Sequence, residues 1–196
     1  MFERMLASAS FHSTHAPEKD MFGFNESNQT PDAIELLKQD HDEVDAMFKE
    51  YEDLKEDGRA SDKEDLAQRI CDALSVHATI EEEIFYPAVR RERGDTGDLV
   101  DEARVEHQSL KEIIGRLQAA PPSDPLYDAG VKVLSEYVKH HVREEENELF
   151  PKVRRLDLDL DALGAKLKTR KDELMSQPVQ GGNGKGRQGR QASRTQ

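Results

Sequence analysis

Residues 77–87, HATIEEEIFYP, decide how the chain is read. A histidine stands one helical turn ahead of a glutamate, His77 before Glu81, and a proline closes the stretch although helix interiors avoid proline. Residues 141–151, HVREEENELFP, repeat the arrangement with His141, Glu145 and Pro151. Positions i and i+4 share one helix face, roughly 5–6 Å apart at Cβ. Each copy therefore sets an imidazole beside a carboxylate.

Working outward, a shift of 64 residues superposes Ile70 on Leu134, Leu74 on Val138, His77 on His141, Glu81 on Glu145 and Pro87 on Pro151. A shift of 66 superposes His41 on His107, each preceded by an acid, Asp40 or Glu106. The chain reads as two copies of one helical hairpin. The apolar spacing agrees. Leu37, His41, Val44, Phe48 and Tyr51 form one stripe, and Val100, Ala103, His107, Leu110, Ile114 and Leu117 another, at the 3- and 4-residue intervals of an inward-facing bundle seam. Ile70, Leu74, His77, Glu81, Phe85 and Leu134, Val138, His141, Glu145, Leu149 complete the set. Polar residues stand where leucines belong.

Punctuation delimits the helices. Thr30-Pro31 reads as a cap followed by a first-turn proline, opening a helix to about Lys55. Ser61 with Glu64 reads as a capping box for a second helix that passes Arg90. A third runs from about Gly97 to Ala120, before Pro121-Pro122. Ser123 and Pro125 open a fourth to about Arg154, and a shorter fifth spans Asp159 to about Met175. The expectation is all-α: an antiparallel up-down-up-down four-helix bundle of two repeated hairpins, plus a short fifth helix and disordered termini. The divisions are a leader at 1–29, the bundle at 30–156, the accessory helix at 157–175 and a basic tail at 176–196. Pro87 and Pro151 are expected to kink or end their helices.

The net charge of −13 makes nucleic acid an unfavoured partner, because phosphate contacts need a basic face. The basic residues Lys185, Arg187, Arg190 and Arg194 sit in a Gly/Gln-rich tail without acids, read as a solubilising segment. One cysteine, Cys71, excludes an internal disulfide and any Cys-rich metal site. No stretch approaches the 18 apolar residues of a membrane span, and the first residues lack the apolar run of a signal peptide, so the expected setting is cytoplasmic, away from membranes.

One inward histidine is ordinarily a core residue. Four, with two buried glutamates, are not explained that way, because each unpaired buried carboxylate costs several kcal/mol. A bound cation removes that cost. His41, His77, Glu81, His107, His141 and Glu145 supply six nitrogen and oxygen donors, a set suited to iron, manganese or zinc. His140 also precedes a glutamate, Glu144, by four, but the match through Pro151 selects His141 and Glu145. Glu82 and Glu146 fall where they could accept from imidazole N–H groups, and His12 and His15 lie in the leader with at most incidental metal affinity.

QDH at 39–41, HATIEEEIFYP at 77–87, VEH at 105–107 and HVREEENELFP at 141–151 resemble the hemerythrin-like, His-His-Glu cation-binding family over about residues 31–155. The resemblance implies a non-haem di-iron centre, oxo- or hydroxo-bridged. His41 and His77 would serve one iron and His107 and His141 the other, with Glu81 and Glu145 bridging. It further implies a small diatomic or peroxide ligand, and a protein that binds, senses or detoxifies O₂, hydrogen peroxide or nitric oxide, with weak peroxidase-like or NO-handling activity as one form of that role. The alternative is a non-redox module for iron or zinc storage or a metal-dependent switch. Where the oxygen carriers place a further histidine one turn from the third-helix ligand, this chain has Ala103 and Lys111. The carriers also end on an aspartate spaced by five, whereas here Glu145 is spaced by four. Both departures argue against lasting oxygen carriage.

Overall fold

The computed structural model describes residues 31–92 and 94–176. They form α1 (Ala33–Asp57), α2 (Ala60–Ile80), α3 (Tyr86–Arg91), α4 (Gly97–Ala119), α5 (Tyr127–Glu144), α6 (Phe150–Val153) and α7 (Leu160–Ser176). A π-helical turn, Glu81–Phe85, joins α2 to α3, and a second, Glu145–Leu149, joins α5 to α6. Among the described residues there is no strand. The expected leader at 1–29 and nearly all of the tail at 176–196 lie outside the described residues, as does the cap expected at Thr30.

Asp32 caps α1 instead. Its carboxylate accepts from the Glu35 N–H at 2.9 Å while Glu35 reaches back to the Asp32 N–H, a complete capping box. The box expected at Ser61 does not form: Arg59 holds the cap position, and Ser61 Oγ turns to Asp62 Oδ1. The chain between Ser123 and Leu126 is spent on turns, so the fourth long helix opens at Tyr127.

α1 packs on α2 and α5, and α4 on α2 and α5, closing a four-helix bundle. The long helices run antiparallel: Tyr51, late in α1, donates to Asp128 at the start of α5, which also meets Lys63 at the start of α2. At the opposite end Asp32 meets Arg154. α7 lies outside, against α1 and α2. Gly164 permits its approach, because a Cβ there would stand 2.5 Å from the Pro31 carbonyl oxygen.

Neither proline ends its helical run. In the preceding turn the N–H of Tyr86 bonds the carbonyl of Glu81, five residues back, and the N–H of Phe150 bonds that of Glu145. Proline has no N–H to offer the usual acceptor four residues back, and its ring crowds that carbonyl. The wider turn makes room. It also turns two consecutive residues inward, Phe85 with Tyr86 and Leu149 with Phe150, all buried.

Two apolar clusters result. One gathers around Phe85, Tyr86, Phe150, Ala103 and the α7 residues Leu163 and Leu167. The other fills the opposite half with Val44, Phe48, Leu74, Leu110, Leu134 and Val138. The buried His and Glu side chains separate them. No helix among the described residues is long and apolar enough to cross a membrane.

Candidate metal centre

All six candidate donors come together in one buried layer. His41, His77, Glu81, His107, His141 and Glu145 are each at most 6% exposed. Glu81 Oε2 lies 3.2 Å from His77 Nε2 and 3.4 Å from His107 Nε2. Glu145 Oε2 lies 3.3 Å from His41 Nε2 and 3.5 Å from His141 Nε2. Each carboxylate thus spans the two histidine pairs, as a bridging group must. Two overlapping donor sets fall within metal-binding reach, His41–His77–Glu81–Glu145 and Glu81–His107–His141.

The outward nitrogens follow one rule. His41 Nδ1 lies 2.9 Å from Glu146, His77 Nδ1 3.3 Å from Asp40, His107 Nδ1 3.0 Å from Glu82 and His141 Nδ1 2.8 Å from Glu106. Every imidazole is held by an acid from a neighbouring helix, around the ring of four. An ionised carboxylate only accepts, so each Nδ1 donates outward, which leaves each Nε2 turned towards the centre. The roles of Glu82 and Glu146 were legible in the sequence. Those of Asp40 and Glu106 were visible only as acids preceding a histidine.

Tyr86 is the residue that sequence reasoning missed. The π turn brings it beneath Glu81, and its phenol donates to Glu145 Oε1 at 2.9 Å while lying 3.4 Å from both Glu81 Oε2 and His107 Nε2. Its counterpart in the repeat is Phe150, which stacks on His41 with centroids 5.9 Å apart and planes 4° from parallel. The two halves of the centre therefore differ by one oxygen donor. The signal was present in the sequence: tyrosine immediately before Pro87, phenylalanine before Pro151.

Electrostatics record the same crowding. Burial and the facing Glu145 hold Glu81 well above the usual carboxylate range. At Glu145 burial is outweighed by His141 and His41, which hold it low. Burial pushes His77 down to about 4 and lowers His107, keeping both imidazoles neutral. At His41 and His141 burial is outweighed by Glu145, and both are raised. Among the described residues, four buried side-chain atoms find no hydrogen-bond partner: His41 Nε2, His77 Nε2, Glu81 Oε1 and Glu145 Oε2. A buried acceptor left unmatched costs about 1–3 kcal/mol. All four belong to one cluster, and a cation among them would satisfy the set, so the residues fit a metal site.

On one side of the rings lies a cavity with about 20 Å³ free for a water-sized molecule. The histidines and the apolar residues Val44, Leu74, Leu110, Ile114 and Val138 line it, together with Asp40 and Lys111. The flanking positions of His107 divide: Ala103 is buried, while Lys111 is at the surface, paired with Glu82. His140 also falls outside, on the surface with Glu106 and Glu144.

Residues 32–153 match the family described as hemerythrin HHE cation binding domain, and the chain belongs to it. Residues of this chain are 32% identical over 125 positions to a protein of Nostoc sp. named DNA nickase, a match covering 61% of this chain and 33% of that one. Uncharacterised proteins of Mycobacterium bovis and Mycobacterium tuberculosis are 26% identical over 109 residues, 54% of this chain and 65% of theirs. The chain thus spans about a third of the nickase and just under two thirds of the mycobacterial proteins. The fold resembles the crystal structure of an HHE cation binding domain-containing protein, the Rv2633c homologue from Mycobacterium kansasii, with a TM-score of 0.62, 22% identity, and coverage of 74% of this chain and 87% of that one.

Proposed function

We propose that the chain is a non-haem di-iron protein that binds, senses or detoxifies O₂, hydrogen peroxide or nitric oxide. The carrying observation is the convergence of four Nε2 atoms on two carboxylates, four of these donor atoms lacking any other partner. In this reading His41 and His77 hold one iron, His107 and His141 the other, and Glu81 and Glu145 bridge. When bound, the metal pair supplies the redox chemistry towards these small molecules.

The chain's own groups prepare the site. The outer acids Asp40, Glu82, Glu106 and Glu146 fix each ring so that Nε2 points inward. Tyr86 Oη keeps a proton beside both carboxylates, because burial and the two glutamates raise the phenol well above its ordinary value. The small, largely apolar cavity against the rings suits a small molecule and excludes bulky ones. Manganese or zinc could occupy the same donors, and a zinc-filled protein inert to oxidants would favour the non-redox module.

Metal analysis of protein produced with ample iron tests the first step: two irons per chain, both lost in His77→Ala and in Glu145→Ala. Anaerobic reduction followed by separate additions of O₂, hydrogen peroxide and nitric oxide, followed by absorbance, tests the second. A protein that takes up iron yet responds to none of the three contradicts the redox reading.

A further inference from the structure

The four acids that hold the imidazoles each have a further side-chain partner of their own. Glu82 has Lys111 of α4, Glu146 has Lys38 of α1, and Glu106 has His140 of α5. All three partners belong to the bundle. Asp40 departs from this pattern. Its cation is Lys171, which reaches in from α7 and bonds Oδ1 while Oδ2 faces His77 Nδ1. Asp40 is also the most enclosed of the four, its side chain 8% exposed against 17–29% for the others. α7 packs on α1 and α2, so it covers Asp40 and leaves its counterpart Glu106, on α4, partly open.

We propose that α7 is a working part of the centre, with Lys171 a positioning residue that acts through Asp40 to orient His77. This rests on the metal-binding reading above. A buried carboxylate with one oxygen free can rotate towards water, and that rotation releases the imidazole it holds. Lys171 fills that second oxygen and so commits the first to His77. The neighbouring residue separates this role from mere docking: Arg170 also ties α7 to the bundle, through both oxygens of the surface residue Glu83, but touches none of the acids that hold the rings.

The pair of residues supplies the test, in the full-length protein. Ferrous iron is titrated under anaerobic conditions in competition with a chelator, in wild type, Lys171→Met, Arg170→Met and Lys171→Arg. Loss of an outer-shell partner weakens metal binding at the low end of the 10–100-fold range. Lys171→Met is expected to weaken one of the two ions about tenfold and leave the other close to wild type. Arg170→Met is expected to change neither, and Lys171→Arg to restore most of the loss. In metal-free protein, the His77 Nδ1–H resonance in ¹H–¹⁵N spectra is expected to persist in wild type and Arg170→Met and to broaden by exchange in Lys171→Met. Equal weakening in Lys171→Met and Arg170→Met, or an unaltered His77 resonance in Lys171→Met, overturns the proposal. Wild-type protein that takes up no iron contradicts the di-iron reading alone, and the spectra of the metal-free variants then decide the role of Lys171.

Discussion

His140 and His141 are neighbours with the same glutamate spacing, and burial separates them. His141 is 3% exposed and faces the centre, whereas the His140 side chain is 56% exposed between Glu106 and Glu144. His140→Ala is therefore expected to keep its full metal content and His141→Ala to lose it, as measured by elemental analysis. Tyr86 gives a second prediction at this scale. Tyr86→Phe removes the phenol that Phe150 lacks in the other half of the repeat and deprives Glu145 Oε1 of its donor. Stability of the metal-free protein is expected to fall by about 1–3 kcal/mol in urea unfolding, the cost of a buried acceptor left unmatched. The reverse exchange, Phe150→Tyr, would bring a second phenol towards His41.

At the scale of the element, the two π turns explain what an α-helical period could not. The seam of Ile70, Leu74, His77 and Glu81 follows 3.6-residue spacing, but Phe85 and Tyr86 are consecutive and both buried. The wide turn adds Tyr86, beside the centre, to the inward seam that reaches Phe85. FYP and LFP, each ahead of its proline, carry the clue, yet only the folded structure shows that the helical run passes through a wide turn there. The cap of α1 shows the same limit on a smaller scale. Thr30, Asp32 and Glu35 all lie near the helix start, and the reciprocal bonds pick out Asp32 and Glu35. Asp32→Ala is expected to cost about 1 kcal/mol of unfolding free energy, with the loss of the Arg154 contact included in what calorimetry records.

At the scale of the whole molecule, the polar layer between two apolar clusters couples metal binding to folding. The unmatched donors destabilise the empty chain, and a ligand bound only by the folded state stabilises it by mass action. Iron loading is expected to raise the midpoint of thermal unfolding and a strong chelator to lower it again, by several degrees in differential scanning calorimetry. The far end of the bundle titrates apart from the metal. There burial tends to raise the Asp128 carboxyl, but bonds from Lys63 and Tyr51 outweigh it and hold it below the ordinary aspartate value. A carboxylate lowered on folding contributes stability that is fully present above its unfolded value, about 3.9. That contribution disappears as pH falls through the lower folded value. Asp128→Asn is accordingly expected to reduce stability at neutral pH and to flatten its decline below about pH 4, read from urea midpoints across pH.

The sequence by itself determined the all-α class, the doubled hairpin and the gathering of four histidines and two glutamates. Those follow from local periodicity: residues three and four apart share a face whatever the helix packs against, and equal spacing puts equal residues at equal depth. Only the tertiary structure decided which acid holds which ring, that Tyr86 enters the centre while Phe150 does not reach it as a donor, and that Lys171 reaches Asp40. Each of these joins residues from different helices, over separations such as 105 positions for His41 and Glu146 or 131 for Asp40 and Lys171. Such pairings depend on how the helices are rotated against one another. That rotation is set by the packing of the whole core, which no single stretch of sequence contains.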